Sequence, residues 1–181
     1  MESAGSNRTA QWIYAARNDE SFVYAIQTSD LTPLLIPASE LRSRACFNFI
    51  TSEPDQIQIS KEQTHRAIVR IDGSWQDAAT ETPLNPQAMS QWLKSLRELE
   101  VNGFLDAEAV ASLTTAGLEP AQAGIAVWTT RAEQPQRLWV GGPLTEGMGH
   151  YGLIESRPGL VQLPEQITEI IEAGLGLKSN D

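Results

Sequence analysis

Residues 57–75 read IQISKEQTHRAIVRIDGSW and predict the antiparallel meander around which the fold is built. Ile57 and Ile59 alternate with polar residues, as a half-buried strand requires, and residues 67–71 continue as a second strand. Asp72-Gly73 favours a two-residue hairpin turn, after which the chain returns as a third strand. The stretch therefore predicts three consecutive strands joined by turns.

Helices are predicted downstream of this meander. Asn85 favours a helix cap, Pro86 suits the first helical position, and Gly103 is predicted to end the helix. A shorter helix is predicted from an Asp106 cap towards Gly117. Apolar residues recur at helical spacing in the first of the two, at Met89, Trp92, Leu93, Leu96 and Leu99. Each helix therefore has one face suited to packing on a sheet.

Further hairpins flank this region. Polar turns separate the strand-like runs 12–16 and 22–26, 125–130 and 137–141, and 151–155 and 160–163. Ser29-Asp30 favours the cap of a short helix that carries Leu34 and Leu35 and ends at Pro37, and Pro164 favours the start of a last helix with buried isoleucines at 167, 170 and 171. The predicted fold class is α+β: an antiparallel sheet of six or more strands, built from a meander and hairpins, with helices packed on one face.

The order of elements predicts tandem-repeat character. Residues 14–26 and 151–163 share one plan, a tyrosine followed by a hairpin and then a short helix. We therefore interpret residues 1–10 as a flexible linker, 11–40 as the C-terminal half of a preceding repeat, 41–174 as one complete repeat, and 175–181 as a flexible tail.

Composition and charge exclude several classes of function. Acidic residues outnumber basic ones 23 to 13, and the net charge of -10 disfavours nucleic acid as a partner. Cys46 is the one cysteine; its neighbours predict a strand, residues 45–49, in which the thiol is a small buried hydrophobe. The sequence contains no apolar run of the roughly 20 residues that a membrane span needs.

An ordered set of short motifs resembles the bacterial domain of unknown function 4340 family. The motifs are Leu41-Arg42-Ser43-Arg44 leading to Phe49, Ile57-x-Ile59, Gly73-Ser74-Trp75, the helix with Trp92, Leu93 and Leu96, Gly117-Leu118-Glu119-Pro120, and Trp139-Val140-Gly141 ending at Tyr151. The likeness extends over residues 41–174. It implies an extracytoplasmic module of an envelope protein, anchored in the membrane in the full-length protein and associated with transporters of the gliding type. It supplies no catalytic residues to carry over to this chain, and no cofactor is predicted.

Motifs that could carry chemistry have simpler interpretations. Residues 147–152 spell GxGxxG, but a dinucleotide site needs a strand before these glycines and a helix after them, whereas here a strand is predicted to follow. His65 and His150 have no further His or Cys at metal-ligand spacing, so no metal site is predicted. His65 is assigned to a solvated turn. His150, beside Tyr151, remains a candidate contact residue.

Two tryptophans are the most informative candidates. A turn between Glu133 and Gln134 would place Val127 opposite Val140 and Trp128 opposite Trp139, so that two indoles lie side by side. If a helix covers them they belong to the core, which large aromatics favour; if uncovered, they form a stacking platform.

The predicted function is that of a non-enzymatic module for protein association. Its partners would be other envelope or transporter-associated proteins, or neighbouring repeats. Two alternatives stay open: a ligand- or glycan-binding module and an uncharacterised hydrolase. The predicted ligand or partner contacts are Trp128, Trp139, His150 and Tyr151.

Overall fold

The computed structural model describes residues 12–16, 20–31, 41–105, 112–144 and 149–178. The chain divides into two compact units, with the boundary along the sequence between Ser43 and Arg44. The repeat boundaries interpreted from the sequence remain a prediction.

The first unit contains a hairpin and a short helix. Strands β1 (Trp12–Ala16) and β2 (Val23–Gln27) pair antiparallel, with Tyr14 opposite Ala25, and helix α1 (Thr28–Leu31) follows. The predicted hairpin is confirmed. The continuation of the helix to Pro37 lies outside the described residues.

The second unit is an antiparallel sheet of eight strands. Their bounds are β3 Pro54–Lys61, β4 Thr64–Ile71, β5 Ser74–Asp77, β6 Gly103–Leu105, β7 Ala123–Thr129, β8 Gln136–Pro143, β9 His150–Ile154 and β10 Leu160–Leu163. Their order across the sheet is β5-β4-β3-β7-β8-β9-β10-β6. The predicted α+β class with a mainly antiparallel sheet is therefore confirmed.

The tight turn between β4 and β5 forms as its sequence predicts. Asp72 and Gly73 have φ values of 49° and 82°, which are the two positive values that a type I′ hairpin turn needs. Ile71 consequently lies opposite Ser74. His65, assigned from the sequence to the preceding turn, instead lies in β4 opposite Ser60, although it is exposed as expected.

Two helices of the second unit pack on one face of the sheet. Helix α2 (Pro86–Arg97) begins at the predicted cap, where the Asn85 side chain accepts hydrogen bonds from the backbone N–H groups of Gln87 and Ala88, both at 3.0 Å. In helix α3 (Gln166–Leu175) the carbonyl of Ile170 accepts a 2.8 Å bond from the Trp92 indole N–H. The bond fastens the two helices to each other.

The core lies between these helices and the sheet. Its largest fully buried side chains are Phe47, Ile57, Ile59, Ile68, Met89, Leu96, Leu99, Ile125, Leu138, Leu163, Ile167 and Ile171. No helix in the described part of the chain is long and apolar enough to cross a membrane.

Two further local predictions are wrong. Helix α2 ends at Arg97 rather than at Gly103, because the chain turns off to pair Glu100 with Ala45, and Gly103 then begins β6. Residues 45–49 form only that isolated bridge instead of a strand, since Cys46 is held by a single 2.9 Å bond to the Leu99 carbonyl.

The short helix predicted from an Asp106 cap is described only at its C-terminal end. Residues 106–111 lie outside the described chain, and the described remainder, 112–118, is a series of turns. The Ser112 hydroxyl accepts a bond from the backbone N–H of Thr115, and Gly117 takes a φ of 66°, so the backbone turns here instead of continuing as a helix.

Candidate functional site

The two faces of the eight-stranded sheet differ in what covers them. Helices α2 and α3 cover the face that carries Ile57, Ile59 and Ile125. On the opposite face, Ala116 and Leu118 pack against Leu160 over the strands from β8 to β6. Over β3, β4 and β7, no helix of the second unit packs on that side in the described part of the chain. We call the side of β3, β4 and β7 that faces away from α2 and α3 the open face. The strand register places the following side chains on it: Gln56, Gln58, Ser60, His65, Ala67, Val69, Gly124, Ala126 and Trp128.

The predicted pairing of Trp128 with Trp139 is wrong. In the structure Trp139 lies opposite Gly124, and Trp128 lies opposite Gln56 on β3. Both indoles are half-buried at the same side of the sheet, but Trp128 lies four residues along β7 from Gly124, a distance of about 13 Å at roughly 3.3 Å per residue. The two side chains therefore do not form a double platform.

The register differs because the β7–β8 connection is centred between Arg131 and Ala132 rather than between Glu133 and Gln134. Strand β7 ends at Thr129 and β8 begins at Gln136. The Gln136 amide fixes that beginning: its Oε1 accepts a 2.6 Å bond from the Asn48 N–H, and its Nε2 donates a 2.9 Å bond to the Asn48 carbonyl. A backbone segment distant in sequence, at Asn48, therefore anchors the start of β8.

The Trp139 indole packs against Gly124, the glycine that lies opposite it on β7. A Cβ atom on Gly124 would meet the indole carbons Cε3 and Cζ3 at 2.8 Å and 2.9 Å. The ring therefore rests on the backbone of β7, in a space that a side chain at position 124 would fill.

A groove of about 450 Å³ runs along the open face beside this indole. The side chains of Gln58, Ser60 and His65 line it, and Arg137 and Trp139 of β8 border it. We call it the sheet groove. Arg137 is paired with Glu155, with Nη1 at 2.9 Å and 3.2 Å from the two carboxylate oxygens, so its charge is balanced locally. The sheet groove combines one aromatic ring with several polar side chains.

His150 and Tyr151, the other predicted contacts, lie on opposite faces of β9. His150 borders a cavity of about 110 Å³ next to α3, with its Nδ1 3.4 Å from the Gly141 carbonyl. Tyr151 packs with Leu118 at the covered end of the other face. The His150 cavity is small beside the roughly 300–1,000 Å³ of ordinary ligand pockets. The structure thus does not bring the four predicted contacts together.

The glycine motif before β9 meets a packing requirement. Gly149 has a φ of 132°, and a Cβ there would lie 2.1 Å from the Leu163 carbonyl oxygen. A strand begins at the next residue, as predicted, so this end of the motif has no helix N-terminus for a pyrophosphate. Residues 145–148 lie outside the described chain.

Cys46 is buried, as the sequence predicts. Burial raises the pKa of its thiol to about 12, with a smaller opposing effect from Arg157 and a smaller reinforcing one from Glu100. Because the thiolate is the reactive form of cysteine, this thiol is poorly suited to nucleophilic chemistry. Among the residues described, no group of three or more His, Cys, Asp or Glu side chains is placed to hold a metal ion.

A second candidate surface, which the sequence reasoning did not single out, lies on the β1–β2 hairpin. One face of this hairpin carries Trp12, Tyr14, Val23 and Ala25, and the exposed fractions of the first three are 50%, 75% and 67%. We call these four residues the hairpin surface. Phe22, just before β2, is also 69% exposed. A signal was present in the sequence, because large apolar residues occupy consecutive positions at 12–14 and 22–24 and must therefore point to both faces.

Comparison with known proteins gives a family but no characterised relative. No curated protein and no solved structure matches the chain. The sequence model of a family described as a domain of unknown function, DUF4340, matches residues 4–121, well over half of the 181-residue chain. The match starts before the resemblance interpreted from motifs at 41–174 and ends before β7, so it includes the hairpin and spans the boundary between the two units. The chain belongs to the DUF4340 family.

Proposed function

We propose that this chain is a non-catalytic module of a bacterial envelope protein and that it associates with another protein through the hairpin surface. The observation that carries the proposal is the exposure of Trp12, Tyr14 and Val23 on one face of β1–β2. Isolated two-stranded hairpins are marginally stable in water, and contiguous exposed apolar patches mark interaction sites. A protein partner would bury these side chains.

The order of elements supports a neighbouring repeat as the partner. The hairpin β1–β2 is followed by α1, as β9–β10 is followed by α3. In the second unit β9–β10 is paired on both sides, by β8 and by β6. A hairpin of the same kind would be completed in the same way, by strands of a preceding copy or of an associated envelope protein.

Position-specific photo-crosslinking in the full-length protein tests this association. A photoreactive amino acid at Tyr14 or Val23 should give one discrete crosslinked species in cells, because both side chains lie on the hairpin surface. The matched control is the same amino acid at Glu169, an exposed position on α3, which should give none. Val23→Asp should remove the crosslink from Tyr14, since a carboxylate is costly in an apolar contact. Equal crosslinking from Glu169 and Tyr14 would contradict the proposal.

The proposed location rests on the family resemblance and has its own test. A reporter that is active only after export, fused to the C-terminus of the full-length protein, should be active in intact cells. An inactive but stably produced fusion would refute the extracytoplasmic location. The proposed association through the hairpin surface would then still be tested separately by crosslinking.

A further inference from the structure

We propose that the sheet groove is a binding site for a neutral saccharide. The groove lies in the second unit and uses none of the residues of the hairpin surface, so the inference is independent of protein association. Its volume of about 450 Å³ falls within the roughly 300–1,000 Å³ of small-molecule pockets.

The aromatic border of the groove suits the apolar side of a sugar ring. Because the Trp139 indole rests on Gly124, its orientation is fixed before a ligand arrives. A pyranose presents a ring of C–H bonds on one side, and these can stack on an indole that is held in place. A preorganised side chain loses little conformational entropy on binding.

The polar lining suits hydroxyl groups. The Gln58 amide and the Ser60 hydroxyl each offer both a donor and an acceptor, and the His65 imidazole adds a third polar group. Sugar hydroxyls are donors and acceptors at once, so each can be matched without a charge. Ala126 forms the floor between these groups, beside the indole that covers Gly124, and its small side chain leaves room for a ligand over β7.

Charge favours a neutral ligand over an anionic one. Both cations at the groove are engaged, Arg137 by Glu155 and Arg66 by Asp77, and the chain as a whole carries a net charge of -10. A purely aliphatic ligand would leave the amide and hydroxyl groups of the lining desolvated without partners, which costs free energy. An uncharged molecule with many hydroxyls and one apolar face meets both conditions.

NMR titration of the ¹⁵N-labelled 181-residue chain tests the site with three neutral disaccharides, cellobiose, maltose and N,N′-diacetylchitobiose. At least one should shift the Trp139 indole N–H and the Gly124 amide, whereas the indole N–H of Trp92, bonded to Ile170 in the core, stays in place. The dimer of galacturonic acid, an anionic counterpart, should bind more weakly.

Two variants and a matched control decide whether the groove is responsible. Gln58→Ala removes a hydrogen-bonding partner at an exposed position and should weaken binding about fivefold. Ala126→Leu fills the floor and should abolish the shifts. Gln56→Ala is the control, because Gln56 lies on the same strand and face but faces Val69 and Trp128 outside the groove.

The proposal is overturned if none of the neutral disaccharides shifts the resonances of Trp139 and Gly124. It is also overturned if the anionic dimer binds more tightly than all of them, or if Gln56→Ala weakens binding as much as Gln58→Ala does. Ala126→Leu variants that keep the wild-type unfolding midpoint and still bind would overturn it as well.

Discussion

Gly124 is the residue that allows an indole to lie on the sheet. Gly124→Ala places a methyl group where the Trp139 ring carbons now lie, 2.8 Å from the nearest, so the ring must move. Overpacking of this kind costs about 1–2 kcal/mol of unfolding free energy, measured by chemical denaturation. Gly103→Ala is the control, since its Cβ would meet only the Gln162 side-chain oxygen at 3.6 Å. Equal losses in the two variants would contradict the packing argument.

Cys46 serves as a probe of unfolding. Because its thiol is buried with a pKa of about 12, a thiol-specific reagent at neutral pH should label the native chain slowly and the chain in denaturant rapidly. The sign of the pH dependence follows from the raised pKa. Between the ordinary value of 9.0 and about 12 the unfolded thiol loses its proton and the folded thiol keeps it, so this group's contribution to stability falls as pH rises.

A Cys46→Ala comparison isolates that contribution. The stability of the wild type should fall more steeply than that of the variant between pH 9.0 and about 12. Rapid labelling of the native chain at neutral pH would show instead that the thiol is accessible.

At the residue scale, local chemistry was predictable and packing requirements were not. Asn85 and Asp72-Gly73 act on their own neighbours in the chain, so the cap and the turn follow from sequence. Gly124 leaves space for the indole of Trp139, which lies opposite it on the neighbouring strand. The sequence around a glycine in a strand does not indicate which side chain will pack against it.

Arg66 connects three elements of the second unit. Its Nε donates to Asp77 at 2.9 Å, and its Nη1 donates to the Leu175 and Gly174 carbonyls at 2.7 Å and 3.3 Å, at the C-terminal end of α3. Arg66 and Asp77 are each only 15% exposed. Arg66→Ala should therefore cost about 2–3 kcal/mol of unfolding free energy, because it leaves a carboxylate and two carbonyls without this partner. Arg97→Ala, which removes an exposed pair with Glu98, should change stability by less than about 0.5 kcal/mol.

The same ion pair predicts a dependence on acid. Desolvation acts to raise the pKa of Asp77, but hydrogen bonds from the Ala79 N–H, from Arg66 and from the Thr80 N–H outweigh it and lower that pKa below its ordinary 3.8. A lowered pKa contributes stability above 3.8 that is lost as pH falls through the folded-state value. The difference in unfolding free energy between wild type and Asp77→Asn should therefore shrink as pH falls below 3.8. A constant difference would refute the link.

At the scale of elements, the presence of a helix or strand was easier to predict than the residue at which it ends or its pairing register with a neighbouring strand. The apolar spacing of α2 identifies the helix, but its end is set by the bridge from Glu100 to Ala45, two segments far apart in sequence. The strands β7 and β8 follow from their patterns, yet the start of β8 is anchored where the Gln136 amide bonds to the backbone of Asn48. Long-range contacts of this kind leave no periodic trace in a single sequence.

For the molecule as a whole, the sequence indicated the fold class but not the sheet groove. Six or more antiparallel strands with helices on one face follow from alternation and helical spacing. The sheet groove could not be predicted, because its side chains come from β3, β4 and β8 and meet only through a strand order that crosses from β3 to β7. Residues 112–118 pack on part of the face of the sheet opposite α2 and α3, and their position determines which part of that face remains uncovered.

The independence of the second unit is the prediction at this largest scale. Every residue of the two apolar clusters lies between Cys46 and Leu177, and none of the described residues of β1, β2 and α1 is fully buried. A chain of residues 44–181 should therefore unfold cooperatively at the same denaturant midpoint as residues 1–181. Ile57→Ala in the full chain is the reference for a damaged core and should cost about 2–5 kcal/mol.

The family match makes this test decisive, because residues 4–121 extend across the boundary at Ser43 and Arg44. If the matched segment is one folding unit, removal of residues 1–43 should lower the midpoint or abolish cooperativity. If burial defines the unit, the midpoint stays, since the removed residues contribute nothing to the clusters. An unchanged midpoint would mean that residues 1–43 do not stabilise the second unit, although the family match includes most of them. That result is expected if the hairpin serves to bind a partner.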